Sequence, residues 1–248
     1  MIAVSVHGAE GRMGRLVAEL VDEADDCHLA ALVTEPGREL PAGARHPRLA
    51  VVGQDQLATH HPRGGVIVDF SLAGALDGLL VQARRVQAPL VTGVTGYSAA
   101  QLEALRDYAR DHAVVQAPNF SVGIPALQLA LRLLARTLPR GFDAEQVETH
   151  HRAKLDRPSG TARWLAAGWA AERGGDPPPT HSQRIGGVIG EHRWTLGDLE
   201  ETLELTHRAH SRRAFLRGVL PAVRFAATAP AGLHGLTDVL QDLASGGA

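Results

Sequence analysis

Ile2-Ala-Val-Ser-Val6 and, one residue later, Gly8-Ala-Glu-Gly-Arg-Met-Gly14 decide the fold. The first is a short apolar run with β-branched residues, the pattern of a strand buried in a parallel sheet. The second is a glycine-rich turn of spacing G-x-x-G-x-x-G, with Glu10 where the common fingerprint has its second glycine. Leu16, Val17, Leu20 and Val21 then recur at helical spacing. Strand, glycine turn and helix in that order make the context of dinucleotide binding. A glycine turn alone is weak evidence, since many turns use glycine for positive φ; its flanks carry the reading.

The alternation continues outward. Leu29 to Val33, Val66 to Phe70, Leu90 to Thr92 and Val114 to Ala117 have strand character, and Leu76 to Val86 and Ala99 to His112 are helical in spacing. This rhythm predicts a parallel sheet covered on both faces. Pro36 to Gly53, rich in Gly, Pro and Arg, is expected to be loop. The second half differs. Leu127 to Leu138 is an apolar helix opened near Pro125, Ala144 to His150 a strand, and Thr161 to Arg173 a helix ended by Gly174-Gly-Asp-Pro-Pro-Pro179. His192 to Leu196 and Thr202 to His207 alternate as antiparallel strands do. Ala214 to Ala227 is helical in pattern, with Pro221 inside it expected to kink or end the helix. Gly232 to Leu243 shows no partner element of its own. The expected architecture is α/β: an N-terminal Rossmann-type parallel-sheet domain of 1–121 with 213–248, and a smaller α+β domain of 122–212 with a mixed or antiparallel sheet.

Composition narrows the function classes. The 248 residues are 44% hydrophobic, enough for one large core or two modest ones. A formal net charge of −2 offers no basic excess for nucleic acid. The single cysteine, Cys27, excludes an internal disulfide framework, fits a reducing cytosol and is expected to be a small residue near a helix end, not a reactive thiol. No apolar stretch approaches the ~20 residues that span a bilayer, and Met1-Ile2-Ala3 leads into the first strand without a signal pattern. A soluble, cytoplasmic protein with no membrane partner is expected.

Chemistry concentrates in Glu148-Thr-His-His-Arg-Ala-Lys-Leu-Asp-Arg157 and the following Pro158-Ser-Gly-Thr161. Histidine titrates near neutrality and donates a proton readily, and Lys154 adds a cation four residues after His150. The turn into the helix at Thr161 offers free backbone N–H groups to an anion. The competing readings are a pair of ordinary strand histidines on opposite faces, and a metal site; the latter is poor because no metal-ligand spacing occurs, so no metal is expected. Three further stretches fall at strand ends. Asp69-Phe70-Ser71 is expected to border a cofactor, with Ser71 capping a helix. Gly93-Val-Thr-Gly96 lets backbone approach a ligand. Ala117-Pro-Asn-Phe-Ser-Val-Gly123 joins the halves as a rigid linker, and also offers the Asn119 amide and places Phe120 near a nicotinamide ring. His207, Arg208, Ser211 and Arg212 make a second polar cluster, in which Arg212 could orient an anion.

Taken together and in order through nearly the whole chain, these motifs, with Gly190-Glu-His192 and Gly232-Leu-His-Gly-Leu-Thr-Asp-Val-Leu240, resemble the 4-hydroxy-tetrahydrodipicolinate (dihydrodipicolinate) reductase family of lysine and diaminopimelate biosynthesis. The resemblance implies hydride transfer from NADH or NADPH to a cyclic unsaturated dicarboxylate, with loss of water. It implies His150 as proton donor with Lys154 beside it, and His151, Gly160 and Thr161 holding the substrate carboxylates. It places the coenzyme against Gly8, Ala9, Glu10, Gly11, Arg12 and Met13, against Gly93, Val94 and Thr95, and against Ala117, Pro118, Asn119 and Phe120. It also implies a homotetramer joined through the C-terminal sheet, and proton and hydride delivery converging in one cleft. In the family an acidic residue after the second strand meets the adenine ribose and a following basic residue favours a 2′-phosphate; here those places fall on Thr34 and Glu35. Glu35 would repel a 2′-phosphate, which favours NADH, whereas Arg38 nearby favours NADPH. Val94 replaces a common threonine, Arg157 a usual alanine, and Pro221 a small helix former; the stretch from Arg173 to Arg184 is shorter than the family's. A reductase of another cyclic imine or dicarboxylate, or a non-catalytic nucleotide-binding regulator, are the alternatives.

Overall fold

β1 (Ile2–His7) sits in the middle of the sheet it begins, with Val4 and Val6 wholly buried on one face and Ser5 and His7 wholly buried on the other. In this computed structural model, which describes residues 1–35, 40 and 49–246, the chain divides into two compact units, Met1–Phe120 with Leu216–Ala248, and Ser121–Phe215.

In the first unit α1 (Arg12–Asp22) follows the glycine turn and lays Val17, Ala18 and Val21 on the sheet. β2 (Cys27–Thr34) pairs with β1, and β3 (Ala50–Gly53) with β2. The end of the stretch read as loop is therefore an edge strand, too short for any periodicity to show; 36–39 and 41–48 lie outside the described residues. Cys27 is buried at the start of β2, not near a helix end. A short α2 (Leu57–His60), then β4 (Val66–Asp69), α3 (Leu76–Val86), β5 (Leu90–Thr92), α4 (Ala99–Tyr108) and β6 (Ala113–Gln116) complete this half. α4 begins at a capping box in which Ser98 and Gln101 satisfy each other's backbone N–H, and it stops short of His112 in a turn. All of these strands are parallel, ordered β6-β5-β4-β1-β2-β3. That is the doubly wound order, whose ligand crevice lies beyond the carboxyl ends of the strands where the order reverses, here β1 and β4.

The second unit opens with α5 (Gly123–Thr137), followed by β7 (Asp143–His150), α6 (Gly160–Arg173), β8 (Thr180–Arg184), β9 (Glu191–Gly197) and β10 (Thr202–Arg208). Its sheet runs β10-β9-β7-β8, antiparallel except for the β7–β8 pair. β8, Thr-His-Ser-Gln-Arg, has no apolar alternation and gives no strand pattern in the sequence. Leu127, Leu131, Leu165, Trp169, Trp194 and Leu196 form the core. α5 and α6 approach closely at Gly168, where a Cβ would fall 1.3 Å from Nε2 of Gln128.

The chain then returns to the first unit through α7 (Val219–Thr228), β11 (Gly232–His234) and α8 (Leu236–Ala244). Pro221 neither kinks nor ends a helix: α7 starts only at Val219, so Pro221 sits in the first turn, where its missing N–H has no intrahelical role. The segment from Gly232 does find a partner, since β11 adds to the sheet beside β6 and α8 buries Leu236 and Val239. One face of the seven-stranded sheet is covered by α1, α7 and α8, the other by α2, α3 and α4, which is why its strands are apolar on both sides.

Candidate active site

The carboxyl edge of the first unit's sheet carries the glycine turn. Gly8 has φ +78°, and a Cβ there would lie 2.7 Å from the backbone of Ser71. The N–H groups of Gly8 and Ala9 both donate to the carbonyl of Val33, at 3.0 and 3.1 Å. Gly11 is the N-cap of α1 and brings no side-chain cap, so the first turn, with Arg12 and Met13, keeps N–H groups available to an anion. Such a compressed, uncapped turn fits a pyrophosphate. Thr34 is buried at the end of β2. The N–H of Glu35, the next residue, donates to Oε1 of Glu10 at 3.0 Å, while the buried Oε2 of Glu10 has no partner among the described residues. Arg38 lies outside the described residues.

At the ends of β4 and β5, Asp69 organises the edge. Its Oδ1 accepts from Nδ1 of His7 at 2.9 Å and from the N–H and hydroxyl of Ser71 at 3.1 and 2.6 Å. Ser71 thus binds Asp69 and caps no helix; Leu72 and Ala75 occupy the cap positions that follow. Beyond β5 a Cβ on Gly93 would collide with the Phe70 ring at 2.3 Å, and buried Val94 donates its N–H to Thr92 Oγ1 at 3.3 Å. A cavity of about 410 Å³ opens here among Val94, Thr95, Tyr97, Gln116 and Pro118. Ala117 is buried, Pro118 exposed and Asn119 half-buried. The ring of Phe120 is wholly buried and packs on Phe70 at 5.8 Å, so it presents no free face to a nicotinamide.

In the second unit the sheet register places His192 opposite Glu148, and Arg184 beside His150. His150, at the end of β7, is 8% exposed. Its Nδ1 meets Oε2 of Glu148, two residues back on the same face. Glu148 is fully buried and is gripped by the Arg184 guanidinium, Nη1 to Oε2 at 2.9 Å and Nη2 to Oε1 at 2.7 Å. The N–H of Ser159 adds a bond to Oε1 at 3.3 Å. Arg184 also donates to the carbonyls of Lys154 and Asp156, pinning the loop that carries Lys154, whose ammonium pairs with Asp156 at 2.7 Å. Ser159 caps α6 by accepting from the N–H of Ala162 at 3.1 Å, so the helix starts at Gly160, one residue before Thr161. His151 lies just past the strand, half-buried, its carbonyl accepting from the N–H of Lys154 at 3.0 Å.

Behind His150 stands a row of imidazoles. His192 meets it edge-on at 5.4 Å between centroids, and His207 follows at 6.3 Å, bonded through Nε2 to the Ser121 hydroxyl at 3.2 Å. Burial, aided by the neighbouring histidines, pushes His192 down to about 3. Burial likewise lowers His207. For His150 burial lowers proton affinity, Glu148 pulls it back up, and Lys154 and Arg184 push it down again, leaving it below the ordinary histidine value. Burial opposes the charge of Glu148, but Arg184 and the bonds from Ser182 and His150 outweigh it and hold the carboxyl below the usual range. Arg208 turns away to an exposed pair with Glu191, and Arg212 opens an exposed 3-10 turn.

His150 at the end of β7, Lys154 on the loop that follows and the start of α6 are therefore brought together. Glu148, Ser159, Arg184 and His192 are the additions that sequence reasoning missed. Glu148 had a signal, the i, i+2 spacing on one strand face. Arg184 had none, because its strand was invisible. Among the described residues no cluster of metal-ligating side chains occurs, and no helix is long and apolar enough to cross a membrane.

Two family models match, dihydrodipicolinate reductase N-terminus over residues 2–120 and dihydrodipicolinate reductase C-terminus over residues 123–240. The 4-hydroxy-tetrahydrodipicolinate reductase of Rubrobacter xylanophilus is 39% identical, covering 97% of this chain and 98% of the relative. That of Nitrosomonas eutropha is 34% identical, with the same coverage of both. Among solved structures, a dipicolinate-bound dihydrodipicolinate reductase from Paenisporosarcina sp. TG-14 superposes with TM-score 0.80 at 25% identity, covering 96% of this chain and 99% of that one.

Proposed function

The chain belongs to the dihydrodipicolinate reductase family of oxidoreductases, and on that premise we propose that it reduces 4-hydroxy-tetrahydrodipicolinate to tetrahydrodipicolinate in lysine and diaminopimelate biosynthesis. Met1–Phe120 with Leu216–Ala248 serves as the nucleotide unit and Ser121–Phe215 as the substrate unit. The observation that supports this best is the pinned loop from His150 to Thr161, where a polarised imidazole, an ammonium and a helix start are held together.

A nicotinamide coenzyme supplies the hydride when bound. The uncapped start of α1 and the glycine turn hold its pyrophosphate. His150 delivers the balancing proton from Nε2, since Nδ1 is committed to Glu148; with hydride and proton added, one water leaves the ring. Thr161, His151 and the N–H groups opening α6 at Gly160 receive the substrate carboxylates, and Lys154 adds positive potential. His150 rests neutral because it is buried; a dianion beside it favours the imidazolium and arms the donor as substrate arrives. Glu10 and Glu35 together at the end of β2 favour NADH over NADPH. The active form is a homotetramer joined through the second unit's sheet, a reading that sedimentation equilibrium checks.

The test is turnover. The enzyme is mixed with the product of dihydrodipicolinate synthase and NADH or NADPH, and coenzyme absorbance is followed. Oxidation that collapses by orders of magnitude in His150→Gln and Lys154→Ala is expected. Coenzyme binding with no turnover in the unaltered protein would overturn the assignment in favour of a regulatory role.

A further inference from the structure

We propose that Glu148, clamped by Arg184, is a positioning residue that keeps a proton on Nδ1 of His150 and fixes the ring, so that Nε2 is the nitrogen that is protonated in the imidazolium and then donates. The proposal rests on the reading of His150 as the proton donor. Because both guanidinium nitrogens hold Glu148 as a carboxylate, it only accepts, so the proton of the Glu148–His150 bond resides on Nδ1. That leaves Nε2 with the lone pair, the nitrogen that takes up a proton to form the imidazolium and releases it to substrate. It faces Gly190, where a Cβ would come within 3.3 Å of it; the glycine keeps that side open. Arg184 links this orientation to the rest of the site, since, besides the carbonyl of its neighbour Gln183, it donates to the carbonyls of Lys154 and Asp156. One buried guanidinium therefore orients the donor through Glu148 and fixes the loop bearing the ammonium.

The groups facing His150 are Glu148 on its own strand, Arg184 on β8, Lys154 on the following loop and His192 on β9, with His207 of β10 behind. Glu148 alone among them favours the imidazolium. A bare buried imidazole among cations would stay neutral and donate poorly.

The test compares Glu148→Gln and Glu148→Asp with the unaltered enzyme, using nitrogen-15 chemical shifts of His150 and the pH profile of kcat/KM. In Glu148→Gln the His150 titration is expected to fall by about one pH unit or more. Its Nδ1–H tautomer should lose dominance, and the alkaline limb of kcat/KM should move down by the same amount with the coenzyme KM unchanged. Glu148→Asp, which keeps the charge, should restore most of the limb. Should Glu148→Gln fail to fold, the double variant Glu148→Gln/Arg184→Gln removes both buried charges and is read by the same shifts. Unaltered His150 shifts and titration in these variants overturn the proposal and make Glu148 a fold-holding group. A His150 titration that moves while the kcat/KM limb stays put overturns instead the donor reading of His150, and with it any catalytic purpose for the clamp.

Discussion

Gly14 packs onto Gly8 so tightly that a Cβ on Gly14 would lie 2.1 Å from the Gly8 carbonyl oxygen. The first turn of α1 is thereby pressed against the turn that enters it. Both glycines are required by close approach, and Gly8 also by its φ of +78°.

Gly14→Ala should therefore cost stability and coenzyme binding together. Overpacking of this severity costs about 1–3 kcal/mol or more, and displacement of the α1 start should weaken NADH binding at least about tenfold, ~1.4 kcal/mol. Thermal unfolding and a fluorescence titration with NADH measure the two effects. Gly74→Ala, where a Cβ meets nothing within 4 Å, is the control and should change neither. Full coenzyme affinity in Gly14→Ala would mean that the turn does not seat the pyrophosphate.

Coenzyme choice should respond to charge at the end of β2. Glu35→Arg puts a cation in place of a carboxylate on the residue whose backbone N–H binds Glu10, and should raise the NADPH to NADH ratio of kcat/KM about tenfold, ~1.4 kcal/mol. Steady-state kinetics with both coenzymes decide it. A ratio that does not move would place the adenine ribose elsewhere.

The second unit should lose stability in mild acid. His192 has a folded-state value of about 3, below its ordinary one, so folding favours its neutral form. Its contribution is complete above the unfolded value, ~6.5, and declines as pH falls toward the folded value because the unfolded chain takes a proton the folded one refuses. The ideal slope is ~1.4 kcal/mol per pH unit, so roughly 2 kcal/mol is lost by pH 5. His150 and His207, also lowered, act in the same direction. All three tryptophans, Trp164, Trp169 and Trp194, lie in this unit, so urea unfolding followed by their fluorescence reads it selectively. His192→Gln should flatten the pH dependence; midpoints that are equal at pH 7 and pH 5 in the unaltered protein would refute the argument.

The chain by itself determined the elements whose period is strong and whose ends are marked by backbone chemistry. β1, the glycine turn and α1 were legible because a buried parallel strand is apolar on both faces and the turn needs residues without Cβ. The run from His150 to Thr161 announced acid–base chemistry because its residues are contiguous. Tertiary structure alone decided what depends on register and on partners distant in sequence. β8 and β11 have no apolar alternation to betray them and exist because neighbouring strands offer hydrogen bonds. Pro221 looked like a helix breaker until the start of α7 placed it in a first turn. Arg184 reaches Glu148 across 36 residues, and His192 comes opposite Glu148 only through antiparallel pairing. Local pattern encodes propensity and burial, whereas a buried charge finds its counter-charge only when strands far apart in the chain are laid side by side.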